Sequence, residues 1–179
     1  MHYPIVRTAH RGASNQFPEN TLLAFRKAIE QGGGTIWKWI CISQKIKKIF
    51  FIHDEKLDRT TNGTGFVWDQ TLDELRKLDA GQGERIPTLA EVVDLVRSTP
   101  VRLCVEIEYE IELDYTDRYL KESLATTEAV INFMDRAGFT DRAVLTSFSP
   151  IILQRAKELE PRFPLVIDPF PQDGSLTPK

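Results

Sequence analysis

The chain has 179 residues, 41% hydrophobic and 27% charged, with a formal net charge of −3. That length suits one domain with a sizeable core, and the mix is that of an ordinary soluble globule. The slightly acidic balance, with no basic stripe, argues against nucleic-acid binding, and no apolar run is long enough for stable membrane insertion.

The N-terminus lacks a signal peptide's apolar segment, so the expected compartment is the cytoplasm. Residues 4–9 read as a first strand ending in His10-Arg11-Gly12, where Gly12 suits a sharp turn. Phe17-Pro18-Glu19-Asn20 leads into a helix over 21–31, with Asn20 as N-cap and Leu22, Leu23, Phe25, Ala28 and Ile29 as its apolar side. Glycines 32–34 stop it. Residues 36–43 read as the next strand and 46–52 as a return. The polar tip between them is too short for a parallel crossover, so an antiparallel excursion is expected. Asn62-Gly63 marks a turn. Thr71-Leu72-Asp73-Glu74 and Thr88-Leu89-Ala90-Glu91 are capping boxes and predict two helices, the second running to about residue 97.

Residues 101–108 alternate, with Leu103, Val105 and Ile107 on one face and Arg102, Cys104, Glu106 and Glu108 on the other. Such a strand has helices on its aliphatic side and a polar interior or cleft on the other. A helix over 120–137, a strand over 142–147, a helix from Ser149 as N-cap and Pro150 to 158, and a strand over 163–168 follow. Cys41 and Cys104 lie in strand-like runs and are expected as reduced, buried thiols. Strands in βα order plus one hairpin excursion suit a parallel α/β sheet or a β/α barrel.

Chemistry gathers where strands open into loops. His53-Asp54 stands where the apolar run 49–52 meets a polar loop, and His10-Arg11-Gly12 stands at the end of the first strand. These motifs, with Pro18-Glu19-Asn20-Thr21, Leu57-Asp58-Arg59-Thr60-Thr61-Asn62-Gly63, Ile86-Pro87-Thr88-Leu89 and Val105-Glu106-Ile107, form an ordered series. The series resembles the glycerophosphodiester phosphodiesterase family over most of the chain. The resemblance implies an α/β fold of the (β/α)8 TIM-barrel type, truncated here to about five βα units, since a full barrel usually takes about 250 residues. It implies one partial barrel domain over 1–179 with a small insertion, 44–86, after the second strand. It also implies a divalent cation, calcium or magnesium, and hydrolysis of a small-molecule glycerophosphodiester to glycerol 3-phosphate and an alcohol.

The physical chemistry of such a site maps onto these residues. Two histidines near neutral pKa can divide proton removal and delivery, which makes His10 and His53 the catalytic candidates. Arg11 can hold phosphate oxygens through its fork of donors. Glu106 stands at the family's third-strand metal position, and Glu19 is expected to brace the first loop. Asp54 and Asn62 could shape the site or hold their loop, and the loop role is the one expected. The plainer alternative has Arg11 paired with a surface carboxylate and Glu106 as a solvated strand residue.

The pattern breaks in the second strand. Two further metal-binding carboxylates of the family fall at positions 38 and 40, where this chain has Lys38 and Ile40, and Glu108 stands where the family places a lysine. Lysine repels a cation and isoleucine offers no donor atom. The chain is therefore expected to be impaired, or to be a non-catalytic phosphate-binding relative in which Lys38 pairs with Glu108. Codon structure supplies another reading. The last base of Trp37 (TGG) and the first two of Lys38 (AAA or AAG) spell GAA, glutamate; Trp39 and Ile40 likewise spell GAT, aspartate. A frame shifted over about residues 35–48 would restore Glu-x-Asp in the required positions.

Overall fold

The computed structural model describes the backbone of residues 7–33, 35–39, 41–43, 48–107 and 116–168, and the side chains of 7–33, 49–107 and 117–168. In chain order the elements are β1 (Thr8–His10), α1 (Leu22–Glu30), β2 (Thr35–Trp39), β3 (Cys41–Ser43), β4 (Lys48–Phe50), α2 (Leu72–Lys77), α3 (Leu89–Arg97), β5 (Arg102–Glu106), α4 (Thr116–Arg136), β6 (Ala143–Ser147), α5 (Pro150–Leu159) and β7 (Leu165–Ile167). Short 3-10 turns cover Val67–Asp69 and Thr140–Arg142.

Five strands form one sheet in the order β1-β2-β5-β6-β7, every neighbouring pair parallel. Apart from β3 and β4, that is simple chain order with helices in between, the arrangement of a β/α barrel wall. The hairpin β3–β4 stands outside it as an antiparallel pair, as its short tip requires. The expected strand over 36–43 is therefore two elements: its first part joins the parallel wall and its second turns away into the hairpin.

Helix starts follow the cap chemistry. Both capping boxes form, at Thr71 with Glu74 and at Thr88 with Glu91. The first helix departs from expectation. Its N-cap is Thr21, whose Oγ1 accepts from Ala24 N, while Asn20 sits buried in the left-handed region at φ 66°. A residue in that conformation cannot supply the extended backbone an N-cap needs. Ser149 does occupy the N-cap position of α5, but its side chain makes no capping bond.

The main core lies between the helices and the aliphatic face of the wall. Leu103, Val105 and Ile107 are buried there against Val92, Val93 and Val96 of α3, Val130, Ile131 and Met134 of α4, and Ile152 and Ala156 of α5. A second, smaller core of Phe50, Ile52, Leu57, Val67, Leu75 and Ile86 anchors the loop that follows β4. The apolar run 49–52 divides between them, with Ile49 and Phe51 in the first and Phe50 and Ile52 in the second. Burial on both faces explains why that run shows no polar alternation.

Register in the wall fixes which positions of β2 and β5 lie level. β2 pairs Trp37 with Cys104, Lys38 with Val105 and Trp39 with Glu106. Directly paired residues share a face, so backbone positions 37 and 39, rather than 38, stand level with the polar face of β5. A slip of one residue exchanges the two faces of a strand.

Candidate active site

The upper rim of the wall is built by the C-terminal ends of its strands. At β1 the chain leaves His10 through Arg11 (φ 62°) and Gly12 (φ 81°). A Cβ on Gly12 would lie 2.7–2.9 Å from the backbone and side chain of Ala24, so only glycine lets this turn pack on α1. Asn20 N donates to Arg11 O at 3.1 Å and Ala13 N to Ala24 O at 3.0 Å, closing the loop between β1 and α1. That closure brings Glu19 beside Arg11.

After β4, Phe51 N donates to Pro87 O at 2.8 Å, which fixes the strand as it delivers His53. The loop beyond folds back on itself: Leu57 N donates to Gly65 O and Val67 N to Glu55 O, both at 2.9 Å. Thr61 Oγ1 donates to Leu57 O at 2.8 Å, and this turn returns Arg59 over Asp54.

Five side chains from the two loops close a ring. Arg11 Nη1 donates to the Glu19 carboxylate at 3.1 and 3.3 Å, and Arg11 Nη2 donates to His53 Nε2 at 2.7 Å. His53 Nδ1 lies 2.6 Å from Asp54 Oδ1. Arg59 grips Asp54 with Nε on Oδ2 at 2.6 Å and Nη2 on Oδ1 at 2.7 Å, and the same Nη2 reaches Glu19 Oε1 at 2.9 Å. Asn20 Nδ2 adds a bond to Glu19 at 3.2 Å.

The ring fixes the histidine's proton. A guanidinium can only donate, so Nε2 must accept from Arg11; the proton therefore sits on Nδ1 and is donated to Asp54. Burial alone would raise the carboxyls of Asp54 and Glu19. Hydrogen bonds from His53 and Arg59 hold Asp54 well below the ordinary carboxylate range, and Arg59 and Arg11 lower Glu19. Bonds to Asp54 and Glu19 push the Arg59 guanidinium further above its ordinary value.

Of the expected site residues, the ring unites Arg11, Glu19 and His53. Glu19 accepts from Arg11, Asn20 and Arg59, so Arg11 pairs with a carboxylate within a polar cluster rather than on open surface. Asp54, expected to hold its loop, contacts His53 directly. Asn62 does hold the loop: its N–H donates to Asp79 O and its Oδ1 accepts from Asp79 N. Arg59 stood in a quoted motif without a role. The signal was its place five residues after Asp54, in a turn-rich stretch that can return to its own start. His10 is exposed at the end of β1, level in register with Trp37 and, through it, Cys104.

Glu106 ends β5 and is 3% exposed, so it is not a solvated strand residue. Its neighbour Cys104 is a free, buried thiol pushed up to about 12 by burial and by the charges of Asp168 and Glu106. Ile40, Glu108 and the side chain of Lys38 lie outside the described residues, as does the expected Lys38–Glu108 pair.

A hard divalent cation needs a shell of about six to eight oxygens, several of them carboxylate. Among the described residues no group of three or more His, Cys, Asp or Glu side chains is arranged to hold a metal ion. Glu106 offers one carboxylate, the protonated Cys104 offers no thiolate, and positions 38 and 40 carry lysine and isoleucine. This donor set does not fit the cation. No described helix is long and apolar enough to cross a membrane.

The glycerophosphoryl diester phosphodiesterase family model matches residues 10–167. A glycerophosphodiester phosphodiesterase of Caldanaerobacter subterraneus subsp. tengcongensis is 39% identical over 160 residues, which cover 86% of this chain and 62% of that protein. One from Bacillus subtilis is 33% identical over 179 residues, covering 90% of this chain and 58% of its own length. Among solved structures, a phosphodiesterase of Oleispira antarctica in complex with the product sn-glycerol-3-phosphate superposes with a TM-score of 0.76 at 29% identity. That match covers 91% of this chain and 64% of the other.

Proposed function

Because the chain belongs to the glycerophosphoryl diester phosphodiesterase family, we propose that its upper rim binds the phosphate of a glycerophosphodiester and hydrolyses it slowly to glycerol 3-phosphate and an alcohol. The observation that carries this reading is His53, held between Arg11 and Asp54 with Nδ1 protonated and Nε2 accepting. Phosphate oxygens would take over the Arg11 donors now spent on Glu19 and His53, and would leave Nε2 open to a proton. His53 then removes a proton from the attacking group, and His10, exposed on the same rim, delivers one to the leaving alkoxide. In the family a divalent cation would neutralise charge on the phosphate, and no step is assigned to one in this chain. The donor set at positions 38 and 40 does not fit it, and this is the reason for expecting slow turnover.

The test is a coupled assay for glycerol 3-phosphate released from glycerophosphocholine, with calcium or magnesium and with a chelator. The expected rate is about a hundredfold or more below that of a relative with both carboxylates. Chelator-sensitive turnover equal to such a relative would overturn the proposed impairment.

The lysine and isoleucine at positions 38 and 40 also favour a second reading, a phosphate-binding relative without catalysis. It expects glycerol 3-phosphate to bind without metal in calorimetry and to release nothing in the assay. Absence of metal-free binding removes it.

A further inference from the structure

We propose that Arg59 is a positioning residue for His53, acting through Asp54, and that it locks the two loops of the site together by bridging Asp54 to Glu19. The inference rests on the reading of His53 as the acid–base group.

The argument is geometric. Arg59 makes a fork on Asp54, with separate nitrogens on separate oxygens at 2.6 and 2.7 Å. A two-point grip fixes the plane of a carboxylate, which a single donor leaves free to rotate. With its plane fixed, Asp54 keeps Oδ1 2.6 Å from His53 Nδ1, and Oδ1 selects the tautomer whose Nε2 faces Arg11. The third contact, Nη2 to Glu19 Oε1 at 2.9 Å, reaches the carboxylate that orients Arg11. Arg59 thus touches Asp54, the partner of His53, and Glu19, the partner of Arg11.

Exposure separates the roles. The side chain of His53 is 16% exposed and that of Arg11 24%, whereas Arg59 is 47% exposed on the outside of the ring. His53 and Arg11 are the more buried members of the ring and Arg59 is the more exposed one. Its truncation removes little packing, so the fold should survive it.

If Arg59 only braced its own loop, the proton on His53 would be indifferent to it. The full chain labelled with ¹⁵N-histidine distinguishes the two by imidazole NMR. The wild type should show a slowly exchanging Nδ1 proton on His53, assigned by its loss in Asp54→Ala. In Arg59→Ala that proton should disappear or exchange roughly tenfold faster, with the amide spectrum still folded. Arg59→Lys, which offers one point instead of a fork, should recover only part of the protection. The exposed Arg162→Ala, paired with Glu160, serves as the control without effect. If Arg59→Ala does not fold, Arg59→Gln keeps the bulk, loses the fork and carries the same expectation.

An unchanged Nδ1 signal in Arg59→Ala overturns the proposal, as does a wild-type His53 protonated on Nε2. A chain that binds no glycerol 3-phosphate but loses the proton in Arg59→Ala keeps this inference and discards the functional reading. The converse result discards this inference alone.

Discussion

Two arginine centres stand at opposite ends of the same sheet. At the lower rim, where β6 begins, Arg142 donates to the carbonyls of Val96, Arg97, Thr99 and Val101 and lies over the Phe139 ring at 4.5 Å. At the upper rim, Arg11 and Arg59 donate to Glu19, Asp54 and His53. The lower partners are main-chain atoms at the end of α3 and the entry to β5; they cannot leave without opening the fold. The upper partners are side chains, whose place phosphate oxygens take under the proposed reading. The same guanidinium fork closes backbone at one end and holds an exchangeable arrangement of charge at the other. This matches the general division of β/α folds, with stability at the N-terminal ends of the strands and chemistry at the C-terminal ends.

The contrast predicts opposite mutational profiles. Arg142→Ala should be the most destabilising, by about 2–4 kcal/mol in chemical denaturation, because it strips donors from several carbonyls at once. Glycerol 3-phosphate affinity per folded molecule should be unchanged; a matching loss of affinity would mean the two rims are coupled. Arg11→Met should reverse the pattern, weakening glycerol 3-phosphate binding roughly thirtyfold, about 2 kcal/mol, with a smaller loss of stability. Equal damage to both quantities would make Arg11 a structural residue like Arg142.

Thr88→Ala sharpens the distinction from another side. It removes a capping-box oxygen that accepts from Glu91 N, far in role from the ring, and should cost about 1 kcal/mol of stability with no effect on binding. The smallest effect should come from acid. Hydrogen bonds and nearby charges overcome burial to hold Asp54 and Glu19 below their unfolded values. Their contribution is therefore fully present above about pH 4, and it is lost as pH falls through the folded values. Denaturant midpoints followed from about pH 6 to about pH 3 should fall in the wild type and fall less steeply in Asp54→Asn. Superimposable profiles would show that the ring contributes nothing to acid stability.

Resequencing the encoding DNA over codons 30–55 bears on the strand that departs from the family pattern. Continuous reads carrying Glu-x-Asp in frame would restore carboxylates at 38 and 40 and remove the ground for the proposed slow turnover. Reads confirming Trp37-Lys38-Trp39-Ile40 leave phosphate binding as the decisive experiment.

Much of the architecture was legible because local chemistry dictated it. Threonine followed three residues later by glutamate can satisfy the orphan N–H groups of a helix start in only a few ways, and both boxes formed. The alternation of residues 101–107 announced a strand with one aliphatic and one polar face, and Leu103, Val105 and Ile107 are buried accordingly. The short polar tip after Ser43 required an antiparallel return. The N-cap of α1 was misjudged because Asn20 and Thr21 are both good caps, and the choice fell to the tight loop that forces Asn20 to φ 66°.

Residue types and motif order by themselves determined the βα succession, the helix starts, and the identity of the histidines and Arg11 as candidates, since these follow from periodicity, capping chemistry and ordered motifs. Only the tertiary structure decided that Asp54 and Arg59 join His53, Arg11 and Glu19 in one ring, and that β2 pairs with β5 with Trp37 level with Cys104 and Trp39 level with Glu106. Both depend on contacts between segments far apart in the chain. Glu19 and Arg59 are 40 residues apart, and their approach is set by Gly12 packing on Ala24, the loop folding back at Leu57 and two hydrophobic cores meeting at the run 49–52, none of which a local pattern encodes.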